Sequence, residues 1–547
     1  MKQWVGLLVF FVGVQAAPAQ EHHGAAPAKP ASLLAGMGQH HHPILTRNPE
    51  AQRFFDQGLT LIFGFNHDEA VRSFERAAQL DPQSPMPWWG IALALGPNIN
   101  MPMDEAQHKR AYAALQKALA LAANAPENER AYVEALAKRY SSDPKADAMN
   151  LQVAYKDAMK ALVERFPDDL DAATLYAESM MDLNPWRLWT NDGKPAPGTQ
   201  EILDVLESVL RREPNHPGAN HYYIHAIEAS PHPEKALASA KRLETLVPGA
   251  GHLVHMPGHI YMRTGDYGGV VTANVRAAEA DRQYLRATGT EGSAYDLMYY
   301  AHNLHFLAHG YMAEGRYADA RKAADDLVAH VSRGVEQMPM GEFYLPTTTF
   351  VLLRFQRWDE ILKSPAPDGR WTTTTGLWHF ARGVAHAAKG DVSAAQRERQ
   401  ELAAIESQTP PEAEFSAYFN KARTFLALAG ASLDARMAAA EGDRKLAIDH
   451  WRKAVEIEDS LNYGEPPEWY YPVRESLGGE LLRDGQSAEA ERVFRADLER
   501  NPRNPRSLFG LMESLKAQKK LTDADFVRRQ FEAAWRNADL ALRVEDL

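Results

Sequence analysis

The 547-residue sequence contains no cysteine. This absence excludes disulfide bonds, thiolate metal sites and cysteine nucleophiles, and it is typical of a compartment in which free thiols are a liability. Positive charge does not predominate either: 60 Lys and Arg residues face 72 Asp and Glu residues, the formal net charge is −12, and 45% of the residues are hydrophobic and 24% charged. This composition indicates a soluble, mildly acidic protein, for which we expect no nucleic-acid partner.

Long apolar runs are missing as well. The run from Trp4 to Val14 has about 11 residues, whereas a membrane-spanning helix needs roughly 20. Lys2 precedes this run and Ala17-Pro18-Ala19 follows it, which predicts a secretory signal over residues 1–19, with a retained N-terminal anchor as the alternative. We therefore expect a periplasmic or secreted bacterial protein that has no membrane span after signal cleavage.

Residues 20–45 have no periodic apolar face. They are rich in alanine, proline, glycine and histidine, and they include His22, His23 and the run His40 to His42. This composition predicts a flexible, histidine-rich leader whose tract can capture metal ions with weak specificity.

Common catalytic motifs are absent too. The sequence has no glycine-rich phosphate loop, nucleophile elbow or dinucleotide fingerprint in a strand–helix context, and it lacks the helical His-Glu-x-x-His signature. Any metal chemistry must therefore take its general base from elsewhere in the chain.

What the sequence does contain is a 34-residue period. Gly58, Ala70, Phe74, Ala77 and Pro82 stand at positions 8, 20, 24, 27 and 32 of one unit. The period returns along the chain, for example between Pro214 and Pro248 and at Gly478 to Pro502. Small residues at three of these positions let two helices approach closely, and proline stops the second helix.

This pattern resembles the tetratricopeptide-repeat (TPR) family over most of residues 50–540. The resemblance implies an all-α solenoid, a superhelix of antiparallel helix pairs, and it implies almost nothing about function. We predict an N-terminal and central array over residues 46–335 and a C-terminal array over 336–547. Irregular insertions at residues 96–103, 184–198 and 341–349 interrupt the array, and loops of this kind often close over one face of a solenoid.

A ladder of histidines marks the middle of the chain. The two histidines His221 and His225 fall at positions 5 and 9 of their unit, and adding 34 gives His255 and His259. The next recognisable unit again carries histidines at positions 5 and 9. The full set of candidate metal ligands is His221, His225, His252, His255, His259, His302 and His305, with His309 less certain because an insertion precedes its unit.

In the TPR family, positions 2, 5, 9 and 12 of the first helix face the concave groove, so the resemblance implies that these histidines line its inner wall. Imidazoles at i and i+4 lie about 5–6 Å apart between Cβ atoms, and they can converge on a shared ion. Glu178, Asp182 and Glu228 are the candidate general bases. Pro257 is expected to break the helix that carries His252 and His255.

Imidazoles and carboxylates without sulfur suit a divalent transition metal such as copper, zinc or iron. The sequence thus leaves three functions open. The first is a metal-dependent oxidoreductase or hydrolase that acts on a small molecule in the groove. The second is a periplasmic metal-binding or metal-delivery protein, and the third is a non-catalytic scaffold that binds a partner peptide.

Overall fold

The computed structural model describes residues 31–143, 145–416 and 420–547. The predicted signal over residues 1–19, and residues 20–30 of the predicted leader with His22 and His23, lie outside the described residues. Among the described residues the fold is all-α, with isolated β-bridges such as Asn98 with Met101 in place of strands. No helix in the described ranges has both the length and the apolar character needed to cross a membrane.

Among the described residues, thirteen α-helices form the first part of the chain. They are α1 (Pro49–Phe63), α2 (His67–Leu80), α3 (Pro85–Ala94), α4 (Glu105–Ala122), α5 (Glu127–Leu136), α6 (Ala148–Arg165), α7 (Leu170–Met181), α8 (Thr199–Arg212), α9 (Pro217–Ile227), α10 (Leu237–Leu246), α11 (Gly251–His255), α12 (Pro257–Thr264) and α13 (Tyr267–Thr288).

Twelve more helices follow. They are α14 (Ala301–Ala313), α15 (Tyr317–Val331), α16 (Thr347–Arg354), α17 (Trp358–Lys363), α18 (Thr372–Ala388), α19 (Val392–Gln408), α20 (Ala422–Ala440), α21 (Arg444–Asp459), α22 (Arg474–Arg483), α23 (Ser487–Arg500), α24 (Pro505–Ala517) and α25 (Leu521–Ala534). Consecutive helices pack against each other along the chain, as in a helical solenoid.

The small residues of the repeat serve the close packing that the sequence predicts. A Cβ atom at either Gly58 or Gly90 would lie 2.6 Å from a ring carbon of Phe74. The same arrangement recurs near the C-terminus, where Gly478 and Gly510 flank Phe494. Only glycine lets the helices on both sides of each phenylalanine approach its ring this closely.

The C-terminal part of the chain folds back onto the central units. The Asn191 side chain donates to the carbonyl oxygen of Leu461 over 3.0 Å, and Asn537 donates to Glu314 over 3.0 Å. Contacts between residues so far apart in sequence close the solenoid. The histidines of the central units are buried, and His259 faces a cavity between the central units and the C-terminal part.

Residues 31–45 differ from the flexible leader that their composition predicts. The amide of Leu34 donates to the side chain of Gln57 over 2.7 Å, and the amide of Gly249 donates to the carbonyl oxygen of Gly36 over 2.8 Å. Gly36 has φ +75°, and a Cβ there would lie 2.8 Å from the backbone of Gly249. Backbone hydrogen bonds and polar side chains hold this segment, and a search for periodic apolar residues misses such contacts.

Candidate metal centre

Six histidines of the ladder meet in the interior of the central units. His221 and His225 lie on α9, His252 and His255 on α11, His259 on α12 and His302 on α14. Pro257 separates α11 from α12, as the sequence predicts, and Met256 between them is fully buried in the apolar core. The break lets the chain present His255 and His259 from two short helices.

These histidines form two adjacent groups of three. The first histidine set is His221, His225 and His252, and the second histidine set is His255, His259 and His302. Within each set, one ring nitrogen of every member lies within 4.8 Å of the others. The rings of His252 and His255, which belong to different sets, have centroids 5.7 Å apart.

A hydrogen bond to Asn274 fixes the tautomer of His255. The Asn274 side chain donates to the carbonyl oxygen of Val270 over 2.8 Å, so its oxygen faces His255 Nδ1 at 2.6 Å. Nδ1 of His255 therefore carries the proton, and Nε2 carries a lone pair. A Cβ at Gly258 would lie 2.7 Å from Asn274 Nδ2, so the glycine provides the space for Asn274 to pack here.

Two buried carboxylates face His259. Nδ1 of His259 lies 2.6 Å from Glu228 Oε2 and 2.7 Å from Glu465 Oε2. Burial, reinforced for Glu465 by the charge of Glu228, raises the pKa of each carboxyl to about 8. When the carboxyls are ionised, His259 Nδ1 donates to them and its Nε2 carries a lone pair.

The second set thus contains an electrostatic conflict. Nε2 of His255 and Nε2 of His259 lie 2.5 Å apart, and with both Nδ1 atoms protonated neither Nε2 has a hydrogen to share. The contact needs either a cation or a proton taken from the carboxyl pair. Two ligands of a tetrahedral ion at a metal–nitrogen distance of about 2.0–2.1 Å lie about 3.3 Å apart, so a ring displacement of under about 1 Å is enough to admit a metal.

Burial keeps the imidazoles of both sets in the form that binds metals. It lowers the pKa of His225 to about 4 and holds the pKa values of His221, His252, His255 and His302 well below the usual range. Neighbouring histidines lower the last four further, and burial also lowers the pKa of His259. A neutral imidazole has the lone pair that a metal ion requires.

The three predicted insertions contact the histidine-bearing units. The Asn100 side chain donates to the hydroxyl of Tyr299, and the ring centroids of Tyr299 and His252 are 4.7 Å apart. The ring centroids of Trp186 and His225 are 5.5 Å apart. The ring centroids of Tyr344, from the third insertion, and His305 are 5.2 Å apart.

A cavity of about 950 Å³ reaches the second set from the C-terminal side. His259, Phe306, Tyr463 and Glu465 line its inner end, and segment 461–473 forms much of its wall. This volume is within the range of small-molecule sites. The second set is therefore next to a space that can hold a substrate.

Not every predicted residue joins the two sets. His305 and His309 are buried, with ring centroids 4.8 Å apart, but they lie outside both sets. Of the candidate general bases, Glu228 lies at the site, whereas Asp182 pairs with Arg139 over 2.6 Å. Burial and the charge of Asp182 raise the pKa of Glu178. Asp182 forms the ion pair with Arg139, and neither carboxyl belongs to a histidine set.

Sequence reasoning missed Glu465 and Tyr463, although the repeat holds a signal for them. Ala454 at position 27 and Gly478 at position 8 are 24 residues apart, where an unbroken 34-residue period requires 15. The nine extra residues make room for segment 461–473, which is rich in proline and aromatics. A fourth insertion could have been found in this way.

A separate polar cluster fastens the segment that precedes α1. Asp171 accepts from His40 over 2.9 Å, from His42 over 2.8 Å and from His216 over 3.1 Å. His216 also caps α9, because its Nδ1 accepts from the amide of Ala219 over 3.1 Å. Its Nε2 therefore carries a hydrogen, so this cluster is built as a set of hydrogen bonds to a carboxylate.

The sequence matches no protein-family model and no curated protein. Similar solved structures include the human IFIT1 dimer with m7Gppp-AAAA, at 15% identity and a TM-score of 0.33, covering 90% of this chain and 91% of that one. Another is yeast Tom70, at 12% identity and a TM-score of 0.28, covering 90% of this chain and 93% of that one. Such scores carry no argument about what this chain binds.

Proposed function

We propose that this protein binds a transition-metal ion through His255, His259 and His302. The observation that carries the proposal is the 2.5 Å contact between Nε2 of His255 and Nε2 of His259. Asn274 and the two carboxylates direct both lone pairs toward the same point. Hydrogen-bonded partners behind the ligands are the usual construction around a metal-bound histidine.

The donor atoms favour copper, zinc or iron. The ligands are neutral imidazoles with carboxylates behind them, and the chain has no sulfur ligand from cysteine. Glu228 and Glu465, when ionised, offset the positive charge that an ion brings into this buried space. Loading the ion is therefore expected to release protons from the site.

We further propose that the site is that of a metal-dependent enzyme, an oxidoreductase or a hydrolase. The cavity of about 950 Å³ supports this proposal, because His259 and Glu465 both line it. Glu465 is placed to take a proton from a molecule bound there, with Tyr463 3.2 Å away to donate to its carboxylate. A bound ion would polarise such a molecule, with copper or iron suited to oxidation and zinc to hydrolysis. The predicted signal over residues 1–19 supports a periplasmic or secreted location.

Elemental analysis of the full-length chain tests the proposal. We expect at least one transition-metal ion per chain after expression in metal-replete medium. The double variant His255→Ala/His259→Ala should carry at least one ion fewer, with an unchanged helical circular-dichroism signal. His450→Ala is the matched control, because His450 is half-buried on α21.

Two results would count against the proposal. One is a wild-type chain that carries only trace metal, which would leave a non-catalytic helical scaffold as the better description. The other is a double variant that retains its full metal content.

A further inference from the structure

We infer that the first histidine set, His221, His225 and His252, binds a second transition-metal ion that is linked to the first through Glu228. This inference rests on the proposed function of the second set. It concerns how many ions the protein holds and how their sites communicate.

The tautomers of His221 and His225 are fixed from outside the first set. Nδ1 of His221 donates to the carbonyl oxygen of Phe63 over 2.6 Å, because that oxygen can only accept. Nδ1 of His225 lies 2.7 Å from Glu228 Oε1 and donates to this carboxylate when Glu228 is ionised. With Glu228 ionised, both Nε2 atoms therefore carry lone pairs, and one ring nitrogen of each of His221, His225 and His252 lies within 4.8 Å of the others.

One of these lone pairs has nothing to bind. Nε2 of His225 has no hydrogen-bond partner, although the side chain is only 2% exposed. Nε2 of His221 lies 3.1 Å from Nε2 of His252, so one hydrogen on His252 can satisfy that pair but not His225 as well. A buried polar atom without a partner costs about 1–3 kcal/mol. A metal ion bound by all three histidines gives Nε2 of His225 the partner that it lacks.

The surroundings distinguish the two sets. The centroid of the Phe65 ring lies 4.6 Å from that of His221, 5.8 Å from that of His225 and 5.7 Å from that of His252. Trp186 covers His225 from another side. None of the three histidines lines the 950 Å³ cavity, whereas His259 does. The first set is thus a closed site of three imidazoles, which suits an ion that does not contact substrate, and zinc and copper both accept imidazole ligands.

Glu228 joins the two sets directly. Its Oε1 accepts from His225 of the first set, and its Oε2 accepts from His259 of the second set. The rings of these two histidines are 5.4 Å apart. One carboxylate therefore orients a ligand in each site and stands between two positive ions. Glu228 is a positioning residue for both sites.

Cobalt(II) titration of the chelator-treated full-length chain tests this inference. The visible absorption of bound Co(II) should rise to a break at two equivalents per chain, and native mass spectrometry should count two ions on the unaltered chain. His225→Ala should move the break to one equivalent, and so should His302→Ala. His450→Ala should leave the break at two.

The link has its own variant. Glu228→Gln can offer its single carbonyl oxygen to only one of His225 and His259. The variant should therefore lower the Co(II) affinity of both sites, by about 10- to 100-fold. A purely structural role for Glu228 would lower stability without shifting the two Co(II) affinities together. That outcome would overturn the link.

The possible outcomes separate the two proposals. A single ion that is lost in His302→Ala and kept in His225→Ala overturns the ion inferred at the first histidine set and leaves the ion proposed at the second histidine set intact. No bound ion in the unaltered chain overturns both. Native mass spectrometry needs no variant, so a variant that fails to fold does not prevent the decision.

Discussion

Two regions of this protein bury histidines beside carboxylates, and they arrange the same chemical groups in different ways. Around Asp171, the nitrogens of His40, His42 and His216 point at one carboxylate. In the two central sets, backbone, amide and carboxylate oxygens lie behind the rings, and Nε2 atoms face one another. The partner of the second ring nitrogen therefore decides whether a histidine cluster is suited to an ion pair or to a metal.

His216 and His221 make the contrast most sharply, because they stand five residues apart at the start of α9. His216 accepts a backbone hydrogen at Nδ1, so its Nε2 donates. His221 donates from Nδ1 to a backbone carbonyl, so its Nε2 accepts. The backbone group that faces Nδ1 produces the opposite proton placements: it is an amide at the start of α9 for His216 and the carbonyl oxygen of Phe63, at the end of α1, for His221.

Removal of the Asp171 carboxylate is expected to have the largest effect on stability. Asp171→Ala leaves three imidazoles without their shared partner, and deleting one member of a buried ion pair costs about 3–5 kcal/mol. The midpoint of chemical denaturation should fall, while the metal content of the folded protein stays at the wild-type level. Loss of metal with an unchanged midpoint would contradict the distinction between the two regions.

A substitution of Asn274, which lies behind the proposed metal ligand His255, tests the same distinction in the central histidine sets. Asn274→Ala removes the acceptor for His255 Nδ1 and should weaken metal binding by about 10- to 100-fold, as expected for a residue behind a ligand. Asn274→Asp keeps an acceptor at that atom and should restore most of the affinity. Metal competition with a coloured chelator measures both, with Asn215→Ala at an exposed site as the control. Equal affinities for the alanine variant and the wild type would show that His255 is not a ligand.

The smallest expected effect is a pH dependence at the Asp171 cluster. Burial by itself disfavours the charged forms, but the ion pair outweighs it, so the pKa of Asp171 is lowered and the pKa of His42 is raised. Because the pKa of Asp171 is lower in the folded protein, its carboxylate stabilises the fold at pH values above the unfolded pKa of about 3.9. Because the pKa of His42 is higher in the folded protein, its imidazolium stabilises the fold at pH values below the unfolded pKa of about 6.5. This contribution is lost as the pH rises through the folded pKa of His42.

Residues 31–45 should therefore be held most firmly between about pH 4 and 6.5 and exchange faster above that window. Amide hydrogen exchange of this segment, corrected for the intrinsic effect of pH, measures the change. His42→Gln should remove most of the dependence. A segment whose corrected exchange is the same at pH 5.5 and 8.5 in the wild type would show that the ion pair does not fasten it.

Much of the site could be predicted because the ladder and the fold share one period. Positions 5 and 9 of a repeated helix lie on one face, so His221 and His225 had to stand near His255 and His259 once the units stacked. The same logic places Glu228 beside them. It fails for His305 and His309, whose unit is displaced by the insertion and the π-helical turn Asp296–Tyr300 that precede α14.

Residues outside the period could not be placed by this reasoning. Glu465 comes from a segment more than 200 residues from His259 in sequence, and it reaches the site only because the C-terminal part folds back. The predicted general base Glu178 fits the repeat register at position 9, yet the buried guanidinium of Arg139 pairs with Asp182, and neither Glu178 nor Asp182 joins a histidine set. A period describes neighbours along the solenoid and contains no information on which distant loop will cover them.

The sequence by itself determined the helical repeat and the alignment of six histidines on stacked helices, because both follow from spacing along the chain. The tertiary structure decided that the histidines are buried, that they divide into two sets, and that Glu228 and Glu465 stand behind them. It also decided where the protons of His221 and His255 lie, because a proton goes to the nitrogen that faces an acceptor, and those acceptors come from parts of the chain that only folding brings together.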